Sequence, residues 1–256
     1  MFQLSQLFDL SGRTALVTGG SSGIGLAIAR ALGLAGSRLL LVARRQERLA
    51  HAAALLGKDG LDAATVATDL EVADGPDRAA EAALAIRPQI DILINAAGFN
   101  LRQPFEEVSI DDFDRHMAVH LRAPFRLTQL LAPAMAQRGW GRIVNIASMQ
   151  SQRAFPNSAP YGAAKGGIMQ LTRAIAEHWS KHGITCNALG PGFFPTDLTA
   201  PVFADPMLAA RNAAQTAIGR NGEMTDLYGA AVFLCSDAST YVTGQTLFVD
   251  GGFSAK

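Results

Sequence analysis

The amino-acid sequence predicts an α/β fold built on a parallel sheet, and three features carry that prediction. Short apolar runs alternate with segments of helical spacing along the chain, and parallel strands require crossovers of that kind. A glycine-rich turn, Gly19-Gly-Ser-Ser-Gly-Ile-Gly25, separates the first apolar run from the first helical segment. No linker, low-complexity run or internal repeat breaks the alternation, so residues 1–256 read as a single domain.

The first strand is the run from Thr14, and the helix from Ile24 to Ala35 places Ile24, Ile28, Ala31 and Leu32 on one face. Gly36 ends it. Arg38 to Val42 forms a second buried strand, with a helix after Arg44-Arg45 running to about Leu56. Ala64 to Asp69 is a third strand that ends in an acid, and Ile90 to Gly98 a fourth that ends in a small, polar turn. Ser109 to Gln137 reads as one long helix, with Phe113, Met117, Phe125, Leu127 and Leu131 on its apolar stripe. A fifth strand, Arg142 to Ala147, is followed by Ser148, and a helix runs from about Pro160 to Lys181. Thr185 to Leu189 is the sixth strand. The stretch from Phe193 to about Ile218, with prolines at 195, 201 and 206, is expected to be an irregular lid. A helix near Thr225 to Ser236 and a strand near Thr246 to Val249 close the sheet. Apolar positions near Phe248 and Phe253 are expected to be exposed and covered by another subunit.

Composition narrows the function. With 49% apolar and 17% charged residues the chain can bury a large core. Lysine plus arginine and aspartate plus glutamate balance at 22 each, which argues against a broad nucleic-acid or anionic-membrane surface. No run of 18 apolar residues occurs, and Met1 to Arg13 lacks a basic region followed by an apolar one; a cytoplasmic protein is expected. Cys186 and Cys235 are too few for a disulfide framework or a zinc site and read as core residues.

The glycine turn is a candidate phosphate cradle. A helix N-terminus presents unpaired N–H groups and the positive end of its dipole to an anion. Gly19, Gly23 and Gly25 permit the bend, the approach of the ligand and close helix–strand packing. Ser21 and Ser22 add hydroxyls, and the absence of a Gly-Lys-Ser/Thr ending favours a dinucleotide over a nucleoside triphosphate. The second strand ends in Ala43-Arg44 with no acid to take a ribose 2′-hydroxyl, so NADP is favoured and NAD is possible. The alternative is that Arg44 and Arg45 are a solvated helix start. Asp69 could face the adenine, and Asn95 either the adenosine ribose or its own turn.

Tyr161 and Lys165, four apart in a helix, share a face one turn apart. An ammonium beside a phenol lowers the phenol's pKa and suits it to trade a proton. Tyr161 is therefore the candidate acid or base, Lys165 its tuner, and Ser148 the hydroxyl that orients a carbonyl or alcohol. Gly162, Gly166 and Gly167 each weaken that helix by about 1 kcal/mol relative to alanine, which predicts close approach of a cofactor or partner helix there.

These motifs resemble the short-chain dehydrogenases/reductases. The resemblance rests on Thr18 to Gly25, Asn95-Ala-Ala-Gly98, Ser148, Tyr161-x-x-x-Lys165, Pro191-Gly192 with Thr196, and Val242-Thr-Gly-Gln to Val249-Asp-Gly-Gly252. It implies a single-domain Rossmann-like, doubly wound sheet of about seven strands, with a dinucleotide-binding half at about 10–100 and a catalytic half at about 101–256. It also implies hydride transfer with NAD(P) and a homotetramer or homodimer. Cofactor contacts are then expected from Gly19, Ser21, Ser22, Ile24, Arg44, Asp69, Leu70, Asn95, Gly98, Phe194 and Thr196, with Tyr161 and Lys165 on the nicotinamide ribose. The family places an asparagine in the long helix, where this chain has His120. That histidine could hold the same water, titrate near neutrality, or simply be packed. Asn100 to Pro104, Ser148 to Gln150, Phe155 to Asn157 and Pro191 to Pro201 resemble the gluconate 5-dehydrogenase branch. There Arg102 would grip a carboxylate, Gln150 and Asn157 would read hydroxyls, and Ser148 and Tyr161 would hold the reacting carbon's oxygen. The alternatives are a 3-oxoacyl-carrier-protein reductase and a non-catalytic dinucleotide-binding sensor or scaffold.

Overall fold

The computed structural model describes residues 3–256. Seven strands form one parallel sheet: β1 (Thr14–Thr18), β2 (Arg38–Ala43), β3 (Ala63–Ala67), β4 (Ile92–Asn95), β5 (Gly141–Ile146), β6 (Ile184–Pro191) and β7 (Thr246–Val249). Their order is β3-β2-β1-β4-β5-β6-β7, with Leu16 beside Leu40 on one side and Leu93 on the other. The chain crosses from one flank of the sheet to the other between β1 and β4, and a ligand of such a sheet sits outside the strand ends at that crossing.

The pleat divides the core. Ala15, Val17, Leu39 and Leu41 face α1 (Gly23–Leu34), α2 (Gln46–Lys58) and α9 (Tyr228–Cys235), whereas Leu16, Leu40, Val42 and Leu93 face α3 (Gly75–Ile86), α5 (Ala123–Gln137) and α6 (Ala159–Trp179). Successive side chains point to opposite faces, so the near-continuous apolar runs of β1 and β2 fill both layers. Both cysteines are buried thiols, Cys186 in β6 and Cys235 in α9.

Polar groups fasten the amino ends of the strands. Asp91, fully buried, accepts from the Thr14 N–H at 3.0 Å and from Gln89 Nε2 at 2.8 Å, with Arg138 at 3.5 Å. Arg142, 2% exposed, donates to Ser236 O and Asp237 Oδ1 at 3.0 Å each and lies over the Trp140 ring.

Three expectations need correction. The long helix is α4 (Ile110–Met117) and α5 joined by a π-turn over Ala118–Arg122. The widened turn shifts the phase of the apolar stripe, which leaves Phe113 39% and Phe125 47% exposed while Leu127 and Leu131 are buried. The lid is more regular than its prolines imply, since it carries α7 (Ala200–Phe203) and α8 (Pro206–Gln215), the latter capped by Asp205. Phe253 is buried within its own chain, its ring 5.6 Å from Phe193 and 6.1 Å from Phe155, and Phe248 is half-buried.

Candidate active site

The glycine turn folds as its composition requires. Gly19 takes a left-handed φ of +65°, and a Cβ there would lie 2.8 Å from Ala96 O; one on Gly25 would lie 2.3 Å from Gly19 O. Only hydrogen fits where β1, α1 and the turn after β4 converge. Thr18 locks that convergence, its hydroxyl donating to Ile94 O and accepting from the Ala96 and Ala97 N–H groups at 3.0 and 3.1 Å. Ser22 is the N-cap of α1, yet its side chain makes no capping bond and the first turn holds no acid. The N-terminal donors of a 12-residue helix therefore face the cleft unpaired by side chains, which suits a pyrophosphate.

The cleft is lined by Gly19, Ser21, Ser22, Ile24, Arg44, Asp69, Leu70, Gly98, Phe194 and Thr196 along its length, and by Ser148, Gln150, Tyr161, Lys165 and Arg102 at the far end. Sequence reasoning thus gathered one cleft from segments more than a hundred residues apart. Asn95 is an exception. It is buried at the end of β4 and its Nδ2 donates to Asn145 Oδ1 at 2.8 Å, so it ties two strands together and does not line the cleft. Asn157 also stands outside, at a φ of +58° beside a neighbouring hollow.

Tyr161 and Lys165 lie on the inner face of α6, 8% and 5% exposed, with Lys165 Nζ 5.5 Å from the phenol ring centre. Lys165 Nζ donates to Ile146 O at 2.5 Å, which fixes its reach at the end of β5. Ser148, two residues beyond the end of that strand, accepts the Gln150 N–H at 3.1 Å and keeps its own proton to donate. Burial raises the Tyr161 pKa, while the Ser148 hydroxyl and the Arg102 charge pull it down. Burial also lowers Lys165 to about 7. Of the three glycines in α6, only Gly167 is tightly constrained, a Cβ there lying 3.0 Å from the Leu121 side chain; Gly162 and Gly166 have room.

His120 sits in the π-turn, 2% exposed, its ring edge-on to Tyr161 at 5.3 Å. Its Nε2–H donates to Phe99 O at 2.8 Å, and Nδ1 has no partner among the described residues. Burial, and then the nearby Lys165 charge, hold its pKa well below the ordinary imidazole value. That shift favours the neutral ring and a packed or water-holding role over titration near neutrality. His116, one turn earlier, donates from Nδ1 to Asp112 O at 2.7 Å and accepts the Leu101 N–H at 3.3 Å.

Two cleft residues, Phe99 and Glu71, carry no sequence signal. Phe99 forms an apolar wall with Phe155 and Phe193, and Glu71 and Asp197 contribute carboxylates to the rim. Asp197 pairs with Arg48 of α2, which ties the lid to the opposite bank. Only the folded topology brings those two charges together.

Comparison with known proteins agrees with this geometry. A family profile described as Enoyl-(Acyl carrier protein) reductase matches residues 19–254. The gluconate 5-dehydrogenase of Gluconobacter oxydans (strain 621H) is 43% identical over 97% of each chain. A gluconate 5-dehydrogenase from Burkholderia cenocepacia J2315, solved in complex with NADP and tartrate, superposes with a TM-score of 0.93 at 38% identity over 99% of this chain and 100% of that one. A 3-oxoacyl (acyl-carrier-protein) reductase from Agrobacterium tumefaciens C58 with NADP bound superposes at 0.92 with 32% identity, covering 98% and 97%. With its uncapped glycine turn, its Tyr161–Lys165 pair and its Ser148 on one cleft, the chain belongs to the short-chain dehydrogenase/reductase family and is an NAD(P)-dependent oxidoreductase.

Proposed function

We propose that this enzyme moves a hydride between NADP(H) and the secondary alcohol or ketone of a sugar acid, gluconate and 5-ketogluconate being the first pair to test, with NAD(H) a weaker cofactor. What supports the reading above all is that the Tyr161 phenol, the Ser148 hydroxyl and the Lys165 amine line one cleft with the open N-terminus of α1. The nicotinamide supplies or accepts the hydride when bound. In reduction, Ser148 donates a hydrogen bond to the substrate oxygen and Tyr161 Oη delivers the proton that completes the alcohol; oxidation reverses both transfers. Lys165, buried beside the phenol, holds the far side of the site with donors left over from Ile146 O. Arg102 supplies the charge for a carboxylate, and Gln150, whose Oε1 is buried without a partner among the described residues, accepts from a hydroxyl.

Gly19, Ser21, Ser22 and Ile24 would hold the pyrophosphate, Asp69 and Leu70 the adenine, Arg44 the 2′-phosphate, and Gly98, Phe194 and Thr196 the nicotinamide end. On this reading residues at about 10–100 bind the dinucleotide and those at about 101–256 supply the chemistry. The protein works in the cytoplasm, whose reducing conditions suit two free thiols. It assembles as a homotetramer or homodimer through exposed apolar side chains such as Phe113 and Phe125. Sedimentation at low concentration measures the assembly. A carrier-protein reductase is the weaker reading, because the identity to such an enzyme is 32% against 43% to a gluconate 5-dehydrogenase.

Nicotinamide absorbance followed with NADP and NAD against gluconate, 5-ketogluconate, sorbitol and a simple 3-oxoacyl ester tests the assignment. Turnover of the ester alone would overturn it. Arg44→Asp is expected to shift preference toward NAD by about tenfold or more, the scale of one charge-assisted contact turned into a repulsion. An unchanged NADP Kd would remove Arg44 from the phosphate site.

His120→Asn is expected to keep turnover within a few-fold and to leave the rate profile around neutral pH superimposable on the wild type, because burial and the Lys165 charge hold the imidazole pKa well below its ordinary value. Loss of most turnover in a folded variant would give the imidazole a role an amide cannot fill.

A further inference from the structure

We propose that Arg115 and Glu71 set the preference for a 2′-phosphorylated dinucleotide from one step away: Arg115 engages the Glu71 carboxylate and so leaves Arg44 available to the phosphate. The proposal rests on the reading of Arg44 given above.

Arg44 Nη1 stands 3.9 Å from both Asp69 Oδ2 and Glu71 Oε2, beyond hydrogen-bond distance from either. The Glu71 carboxylate faces both cations, its Oε2 toward Arg44 and its Oε1 on Arg115. Its Oε1 accepts from Arg115 Nε at 2.7 Å, its carbonyl from Arg122 Nη2 at 2.5 Å, and its N–H donates to Asp69 Oδ1 at 2.9 Å. Arg115 is aimed in turn by Asp112 Oδ1 at 3.0 Å, and Asp112 by Gln103 Nε2 at 3.0 Å. Glu71 lines the cleft, whereas Arg115 does not. Of the two carboxylates equally near Arg44, Glu71 is therefore the one whose charge is largely answered by a second cation outside the ligand's reach.

The electrostatic consequence has a definite sign. Without Arg115, Glu71 presents a full negative charge that both attracts Arg44 and repels a phosphate. Without the Glu71 charge, both effects vanish. NAD carries no 2′-phosphate and so feels no repulsion from a freed Glu71 carboxylate. Arg115 also covers the Phe99 ring at 5.6 Å, but a disturbance of that wall acts on both cofactors alike because they share the nicotinamide.

Dissociation constants of NADP and NAD, measured on the full chain for Arg115→Met, Glu71→Gln and the double variant, test this. Arg115→Met is expected to weaken NADP about three- to tenfold, the scale of one partly exposed charge interaction, and to leave NAD within about twofold. Glu71→Gln restores NADP binding in the Arg115→Met background to the wild-type level or tighter, and the NADP deficit shrinks in high salt. Equal weakening of both cofactors, or a double variant as weak as Arg115→Met, overturns the proposal. Should Arg115→Met prove unstable, Glu71→Gln alone must still move the NADP-to-NAD ratio toward NADP, and a ratio that stays put overturns it as well. If Arg44→Asp shifts the ratio while Arg115→Met and Glu71→Gln do not, this proposal fails and the reading of Arg44 stands; if Arg44→Asp does not shift it, both fall.

Discussion

Tyr161→Phe is expected to lower turnover by about two to four orders of magnitude, the usual contribution of a positioned general acid or base, with NADP binding nearly unchanged. The substitution keeps the ring, its edge-on packing against His120 at 5.3 Å and its place beside Lys165, and removes the hydroxyl that carries the exchangeable proton. Single-turnover rates and a separate cofactor titration distinguish the two effects. A variant that retains a tenth or more of its turnover would show that proton transfer runs through another group, and the proposed chemistry would fail with it.

Lys165→Met is expected to cripple turnover and yet to stabilise the ligand-free protein. The amine is buried and its pKa is lowered from the ordinary lysine value of 10.5 to about 7. Below pH 7 the folded and unfolded states are both protonated, so the whole cost of burying an ammonium weighs on the fold. From about pH 7 to 10.5 the unfolded state binds more protons, and wild-type stability rises with pH; above that range both states are neutral and the cost is gone. The advantage of the methionine variant is therefore greatest below pH 7, on the order of a few kcal/mol, and fades toward pH 10.5. Denaturant midpoints at pH 6 and pH 10 measure the difference. A variant less stable than wild type at pH 6 would mean that the bond to Ile146 O outweighs the cost of desolvation.

The periodic parts of the fold were legible because they are local. The strand–turn–helix at Thr14 to Leu34 and the last strand at Thr246–Val249 follow from apolar patterning and glycine. The Tyr161–Lys165 pair follows from helical spacing, and Ser148 from its position just beyond β5. Where a residue's partner lies far along the chain, pattern failed. Asn95 has the right place for a ribose ligand, but its amide turns sideways to Asn145, a neighbour only once β4 and β5 pair. Phe113 and Phe125 fit the stripe of an unbroken α-helix, and nothing in Ala118–Arg122 announces the wider turn that moves them to the surface. Glu71 with Arg115 and Arg48 with Asp197 are ordinary charges until topology joins them.

The fastening of Asp91 by Thr14 and Arg138, and of Arg142 by Ser236 and Asp237, lies at the edge of the sheet opposite the cleft. The charged part of the cohesion and the chemistry consequently occupy opposite rims of the same seven strands, while Thr18 and the Asn95–Asn145 pair fasten the cleft side. Loops at the upper rim can be rewritten for a new alcohol with little loss of cohesion, whereas a change among the lower contacts threatens every activity the scaffold could host.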